Sequence, residues 1–117
     1  MNIKIGCDIV NIKKFTISLN RGGDNFLNKI FSTHELLNCK TPENLAGFFA
    51  VKEAVKKALE LNPDDWKKIE IIKKANGRPQ VKLIGIKKPI ISNDISISHD
   101  EGYAMATAVF VLNDSCK

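Results

Sequence analysis

Three ionisable side chains, from two distant parts of the 117-residue sequence, have the types and spacing needed to act on a phosphate group. Asp8 and Glu53 offer carboxylates from two separate elements, and Mg²⁺ typically takes one or two protein carboxylates plus phosphate oxygens and water. Lys57 follows Glu53 by four residues, so on a helix its ammonium would point toward the same phosphates. The chemistry that these three residues suggest is electrostatic stabilisation of a phosphoryl group.

Each candidate residue also has a simpler structural interpretation, which is favoured when that residue is considered alone. Asp8 has the setting of a solvent-facing strand residue or a loop cap. Glu53 and Lys57 have the spacing of a surface ion pair, worth roughly 0.3–0.5 kcal/mol. His99 ends an alternating segment, where a single histidine is more often structural than catalytic. The spacing alone therefore does not establish that Asp8 and Glu53 meet.

The elements that must position these residues follow from the hydrophobic periodicity of the sequence. Residues 3–9 alternate, which predicts an opening strand with its isoleucines on one face and Asp8 on the other. Residues 12–31 predict two short helices, separated by a glycine-containing break at residues 20–24. Residues 32–35 have the spacing of a capping box, which predicts another short helix.

The second half of the chain changes from helical to strand periodicity. Thr41 and Pro42 are typical of a helix start, and the helix that carries Glu53 is expected to continue to Leu59. Four strands should follow, the first two joined by a turn at Asn76-Gly77. These elements predict an α+β fold, in which an antiparallel sheet packs against one long and several short helices in a single compact domain over residues 1–117.

Composition restricts the class of protein. The formal net charge is +5, which favours an anionic partner, but 16 of the 18 basic residues are lysines. Because bidentate contacts to phosphates and base edges favour arginine, a DNA-binding protein that reads sequence is not the first hypothesis.

The apolar runs are too short for a membrane span, and Lys4 and Asp8 interrupt the only N-terminal candidate for a secretory signal. The three cysteines are odd in number and far apart, which predicts reduced thiols in a cytoplasmic protein.

Three segments, in this order and spacing, resemble the holo-[acyl-carrier-protein] synthase family of phosphopantetheinyl transferases. They are residues 6–10 (GCDIV), 45–59 (LAGFFAVKEAVKKAL) and 95–99 (ISISH). The resemblance implies transfer of the 4′-phosphopantetheine group from coenzyme A to a serine of an apo-acyl carrier protein. It further implies Mg²⁺ dependence, release of 3′,5′-ADP and a role in fatty acid biosynthesis.

The resemblance also assigns roles to particular residues. It implies that Asp8, Glu53 and Lys57 are catalytic, with Asp8 and Glu53 as the Mg²⁺ ligands. The residues implied in binding coenzyme A are Lys57, Asn76, Gly77, Arg78, Pro79 and His99. The residues implied in binding the acidic carrier protein are Lys14, Arg21 and Lys29. Family members are typically homotrimers with sites between subunits, so these groups are expected to come from two chains.

Three positions depart from the family pattern, and two other functions remain alternatives. Lys14 stands where the family often has an arginine, and Asn11 stands where it often has an acid. Phe48 stands where the family often has an arginine, so a phosphate contact is either missing or supplied by Lys40, Lys52 or Lys56. A small basic nucleic-acid-binding module is one alternative, although the expected strands over residues 69–74 and 80–84 contain no aromatic residue for base stacking. A carrier-binding subunit without activity is the other alternative.

Overall fold

The computed structural model describes residues 1–114, and Cys116 lies outside the described residues. The chain begins with a strand, continues through three α-helices and ends with four more strands. The strands are β1 (Asn2–Asn11), β2 (Ile69–Lys73), β3 (Pro79–Leu83), β4 (Ile90–Asp100) and β5 (Tyr103–Leu112). The α-helices are α1 (Ile12–Ile30), α2 (Thr33–Asn38) and α3 (Pro42–Leu59), and a 3₁₀ helix spans Asp65–Lys68. No helix in the described range is long and apolar enough to cross a membrane.

The strands form two antiparallel sheets, whereas the sequence predicted one. The first and last described strands are neighbours in a three-stranded sheet of order β1-β5-β4, with Asn2 opposite Leu112. β2 and β3 form a separate hairpin. Alternation identifies a strand but not its partner, which explains why the second sheet was not anticipated. The α+β class itself is confirmed, since α3 packs across β1 and β5.

Helix α1 contains the predicted break. At Gly23 the backbone leaves helical geometry, with φ of 55° and ψ of −142°. A positive φ in this region strongly favours glycine, because glycine has no side chain to clash with the backbone. Asn11 begins the helix by accepting a hydrogen bond from the Lys14 amide at 3.0 Å. The interruption predicted within residues 20–24 is therefore a kink between two helical segments.

Helix α2 begins with the predicted capping box. Ser32 Oγ accepts the Glu35 amide at 3.1 Å, and Glu35 Oε1 accepts the Ser32 amide at 2.8 Å. Glu35 is also fully buried and accepts a third hydrogen bond, from the amide of Ile71 in β2, at 2.8 Å. One capping residue therefore attaches α2 to the hairpin.

A buried ion pair extends this attachment to α3. Lys52 Nζ lies 2.8 Å from Glu35 Oε1, and both side chains are fully inaccessible to solvent. The same ammonium donates to the carbonyl oxygens of Ile69 at 2.5 Å and Trp66 at 3.0 Å. Burial lowers the pKa of Lys52, and the adjacent Glu35 carboxylate partly opposes that effect. Lys52 thus joins α3 to α2, β2 and the 3₁₀ helix.

Helix α3 determines which face of β1 is covered. Gly6 lies so close to α3 that a Cβ there would be 2.0 Å from the Ala54 carbonyl oxygen. The face containing Gly6 and Asp8 consequently packs against the helix. The opposite face leaves Ile3, Ile5 and Ile9 exposed to 70%, 67% and 63%. The alternation was predicted correctly, but in the single chain its apolar side is the uncovered one.

Candidate active site

Asp8 lies on the face of β1 that meets α3, and its carboxylate contacts Lys57. Lys57 Nζ is 3.2 Å from Asp8 Oδ1 and donates another hydrogen bond to the Cys7 carbonyl oxygen at 3.1 Å. The side chain of Asp8 is 18% exposed and that of Lys57 is 61% exposed, so a ligand can reach both. Lys57 therefore pairs across two elements rather than with Glu53 along its own helix.

Glu53 is held from two sides by residues that the sequence did not single out for this role. Trp66 Nε1 donates a hydrogen bond to Glu53 Oε2 at 3.2 Å. Lys56 Nζ forms an ion pair with the same carboxylate oxygen. Since the side chain of Glu53 is still 27% exposed, the carboxylate is fixed in place but not sealed from solvent.

Asp8 and Glu53 open onto one cleft of about 390 Å³ between the end of β1, α1 and α3. Lys14, Phe15 and Phe49 also line this cleft. No group of three or more His, Cys, Asp or Glu side chains within residues 1–114 is arranged to hold a metal ion. A pair of carboxylates nevertheless fits Mg²⁺, which commonly completes its coordination with substrate phosphates and water.

Burial of Asp8 changes its acidity. Desolvation raises the pKa of its carboxyl group above the ordinary value, and the negative charge of Glu53 raises it further. The hydrogen bond from Lys57 and the lysine charge oppose this change but do not cancel it. The effect of the Glu53 charge on the pKa of Asp8 is expected where a second carboxylate lies close by.

His99 belongs to a second cavity, near the beginning of α3. Its Nε2 lies 3.0 Å from the Glu43 carbonyl oxygen, within hydrogen-bond distance. The ring also packs against Gly47, six residues before Glu53, which corresponds to roughly 9 Å along a helix axis. This cavity, of about 170 Å³, is lined by Pro79 and Phe48 as well as His99.

The turn before β3 is separate from the Asp8 cleft. Asn76 Oδ1 accepts the Arg78 amide at 2.9 Å, which is a local contact of the turn. The Arg78 guanidinium lies 3.1 and 3.2 Å from the two carboxylate oxygens of Asp94 on β4, and it lowers the pKa of that carboxyl group. Gly77 is exposed at the tip of the turn. A single chain therefore brings Pro79 to His99, but brings neither residue to Asp8.

Two of the lysines considered as substitutes for the family arginine are not free to act as such. Lys52 is completely buried in the ion pair with Glu35. Lys56 is buried, donates to the Pro63 carbonyl oxygen at 2.6 Å and pairs with Glu53. Both hypotheses are wrong because the two ammonium groups already have internal partners. Phe48 lies in the wall of the His99 cavity and makes it less polar.

The three predicted carrier-binding residues lie on α1. Lys14, Arg21 and Lys29 are all exposed. Lys14 lies at the edge of the Asp8 cleft, whereas the Lys29 ammonium lies 5.4 Å from the centre of the Trp66 ring. A partner that contacted Lys14 would therefore be next to the candidate metal ligands.

Comparison with known proteins identifies the family. The model of the 4′-phosphopantetheinyl transferase superfamily matches residues 4–108. The chain belongs to this superfamily. The holo-[acyl-carrier-protein] synthase of Protochlamydia amoebophila is 38% identical, and the match covers 94% of this chain and 98% of that protein. A synthase of the same name from Campylobacter jejuni is 36% identical, with 93% and 100% covered.

Solved structures of synthases have the same fold. The Helicobacter pylori holo-[acyl-carrier-protein] synthase in complex with coenzyme A is 35% identical, with a TM-score of 0.81 over 92% of this chain and 99% of that one. A coenzyme A complex from Chronobacterium ammoniagenes is 29% identical, with a TM-score of 0.85 over 97% and 99%. The predicted family, fold class and enzyme class are thereby confirmed, and the transferase is favoured over a nucleic-acid-binding module.

Two features of this phosphopantetheinyl transferase were missed from its sequence. Nothing in the sequence indicated that the indole of Trp66 contacts Glu53. Glu35 was interpreted only as a capping residue, although it is the buried partner of Lys52. Both contacts join residues more than twelve positions apart, so no local spacing could have indicated them. The single tryptophan was the only available signal, and it was ambiguous.

The acidity of Asp8 provides a test of the local electrostatics. Replacing Lys57 with methionine removes the hydrogen bond and charge that lower the pKa of Asp8, so that pKa should rise further above its ordinary value. Replacing Glu53 with glutamine removes a negative charge that raises it, so the pKa should fall. Carbon-13 NMR titration of the aspartate carboxyl groups, without divalent metal, measures both shifts. The arrangement would be contradicted if the two variants moved the pKa in the same direction.

Proposed function

We propose that this chain transfers the 4′-phosphopantetheine group from coenzyme A to a serine of an apo-acyl carrier protein, with release of 3′,5′-ADP, in support of fatty acid biosynthesis. The observation that carries the proposal is the meeting of Asp8, Lys57 and Glu53 at the end of β1. Relatives named holo-[acyl-carrier-protein] synthase and coenzyme A complexes of similar structures support it. A complex from Bacillus anthracis described with coenzyme A (3′,5′-ADP) supports the leaving group.

The same proposal assigns Mg²⁺ to Asp8 and Glu53. Their four carboxylate oxygens are hard ligands, and two carboxylates leave most of the coordination shell to phosphate oxygens and water. When bound, Mg²⁺ would neutralise charge that develops on the phosphate oxygens during the transfer. Lys57, held at Asp8, would supply a second positive charge at the same phosphates.

The bond changes explain why the chain needs no nucleophile of its own. The serine oxygen of the carrier forms a bond to the β-phosphorus of coenzyme A, and the bond from that phosphorus to the 3′,5′-ADP oxygen breaks. The leaving group takes the electron pair, and the serine proton passes to a base. Cys39 is unsuited to act as a nucleophile, because burial raises the pKa of its thiol to about 11.

Coenzyme A would extend from Lys57 toward the cavity that contains His99. Pro79 contributes to the wall of that cavity, and the adjacent turn at Asn76, Gly77 and Arg78 lies beyond it on the exposed side. This second region is about one and a half helical turns from Glu53, measured from Gly47. Coenzyme A is long enough to occupy both regions, with its pyrophosphate near Lys57 and its nucleotide toward the His99 cavity.

The same proposal includes a homotrimer located in the cytoplasm, and the exposed apolar face of β1 supports the contacts between subunits. Ile3, Ile5 and Ile9 are each more than 60% exposed, and Met105 on the neighbouring strand is 47% exposed. A contiguous apolar surface of this kind marks an interaction site. Ile9 and Met105 adjoin His99 on one side and Asp8 on the other, so a subunit that covered this face would lie beside both.

The activity and its metal ligands can be tested together. Incubation with apo-acyl carrier protein, coenzyme A and Mg²⁺ should increase the carrier mass by one phosphopantetheine group. Asp8→Ala and Glu53→Ala should each reduce the rate by about 100-fold or more. Each variant removes a ligand of the Mg²⁺ ion, whose positive charge would stabilise the transition state. Asp64→Ala removes an exposed acid whose side chain makes no capping bond, and serves as the control. Near-normal turnover of both site variants at limiting Mg²⁺ would reject the metal assignment.

The assembly can be tested at Ile5, which is 67% exposed in the single chain. Sedimentation equilibrium should give the mass of three chains for the unmodified protein. Ile5→Glu should give a smaller species with a normal circular dichroism spectrum and little transfer activity, because a charge is costly to bury in an apolar interface. A fully active monomer would show instead that the site is complete within one chain.

The carrier-binding role of α1 can be tested at Lys14. Lys14→Gln should raise the KM for the carrier protein roughly 10-fold at low ionic strength, since complementary charge accelerates encounter and fixes orientation. The difference from the unmodified enzyme should shrink as salt is added. Lys87→Gln removes an exposed lysine from the loop before β4 and provides the control. Equal carrier KM values for Lys14→Gln and the unmodified enzyme at low salt would place the docking surface elsewhere.

A further inference from the structure

Trp66 makes a contact with the candidate metal site that the assigned roles do not use. Its indole Nε1 donates to Oε2 of Glu53 at 3.2 Å, and the Lys56 ammonium pairs with the same oxygen. Among residues 1–114, no hydrogen bond or ion pair is directed to the other oxygen, Oε1. The two contacts therefore leave one oxygen of this carboxylate available for a cation.

The indole ring is itself held in place by its surroundings. Trp66 is half-buried in the 3₁₀ helix, and the Lys56 ammonium lies 4.2 Å from its ring centre. Lys56 also donates to the Pro63 carbonyl oxygen at 2.6 Å, so it cannot move without breaking that bond. The Trp66 carbonyl oxygen accepts from the buried Lys52 at 3.0 Å. Both the ring and the backbone of Trp66 are thus fixed to α3.

We propose that Trp66 is a positioning residue for the transfer reaction, whose indole N–H holds Oε2 of Glu53 so that Oε1 faces the cation shared with Asp8. This inference rests on the proposed function, because it takes Glu53 as a metal ligand. Donors that orient the ligands of a metal typically affect affinity or activity by 10–100-fold. The indole is neutral, so it adds a second hydrogen bond to Oε2 without adding to the positive charge that Lys56 already places there.

The variant Trp66→Phe separates positioning from packing, because it keeps an aromatic ring for Lys56 and removes only the N–H donor and part of the ring. The apparent dissociation constant for Mg²⁺ should rise roughly 10-fold. The kcat at saturating Mg²⁺ and the KM for coenzyme A should change by less than about twofold, since the chemical groups remain. A purely structural role would instead lower the concentration of folded enzyme and leave the Mg²⁺ dependence unchanged.

Lys68→Met provides a matched control on the same 3₁₀ helix. Lys68 pairs with Asp65 at 3.4 Å on the surface and does not contact Glu53. This variant should keep the Mg²⁺ constant of the unmodified enzyme. Thermal unfolding of both variants reports whether the fold is retained. An unchanged Mg²⁺ constant in folded Trp66→Phe would overturn the proposal.

Fluorescence provides a second measurement that requires no change at Trp66. Trp66 is the only tryptophan in the chain, so its emission can be assigned without ambiguity. Adding Mg²⁺ to the enzyme with bound coenzyme A should shift or quench this emission, with the same concentration dependence as activity. Glu53→Gln should lose the response. No response in the unmodified enzyme would overturn the positioning role alone, whereas normal Mg²⁺-dependent transfer by Glu53→Gln would reject the proposed metal site as well.

Discussion

The close approach of helix α3 to strand β1 at Gly6 is the constraint on which the site depends. A side chain at that position would collide with the backbone at Ala54, which cannot move without disturbing the helix. Because glycine permits the contact, the next residue on the same face, Asp8, is brought against α3, where it contacts Lys57 and shares a cleft with Glu53. The geometry of the candidate active site is therefore a consequence of backbone packing, and the lysine contact to Asp8 adds orientation to it.

The network formed by Lys52 with Glu35 and with the carbonyl oxygens of Trp66 and Ile69 stabilises the fold around the site. It fixes the C-terminal side of α3 to three other elements through a fully buried ion pair, and every buried side-chain polar atom in the described part of the chain has a partner. Removing one member of such a pair leaves a charge without compensation and typically costs about 3–5 kcal/mol. Trp66 links this network to Glu53, because its carbonyl oxygen accepts from Lys52 and its indole donates to the Glu53 carboxylate. Lys57, in contrast, is largely exposed and accessible to a substrate.

Much of this arrangement could be predicted from the sequence, because its signals are local. The capping residues Ser32 and Thr41, the break near Gly23 and the alternation in β4 and β5 each identify an element within a few residues. The family motifs contained Asp8, Glu53 and Lys57. Features that depend on contacts between distant residues could not be predicted. These are the separation of the β2–β3 hairpin from the main sheet, the choice of which face of β1 is exposed, and the hydrogen bond from Trp66 to Glu53. The sequence thus predicted a set of candidate residues, and only the structure shows that these residues lie in two separate regions.

The pairing of β1 with β5 has a consequence for how the active chain is made. Asp8 lies on β1, the first of the described strands, and within the described residues the only hydrogen-bonded neighbour of β1 is β5, the last of them. The contacts between Asn2 and Leu112, and between their neighbours, close a loop of nearly the entire chain, which is costly in entropy and slows folding. On the ribosome, β1 must wait until β5 has emerged, even though α3 can form earlier. A nascent chain would have Glu53 and Lys57 on a helix before Asp8 had a neighbouring strand, so the candidate site can form only after β5 has been synthesised.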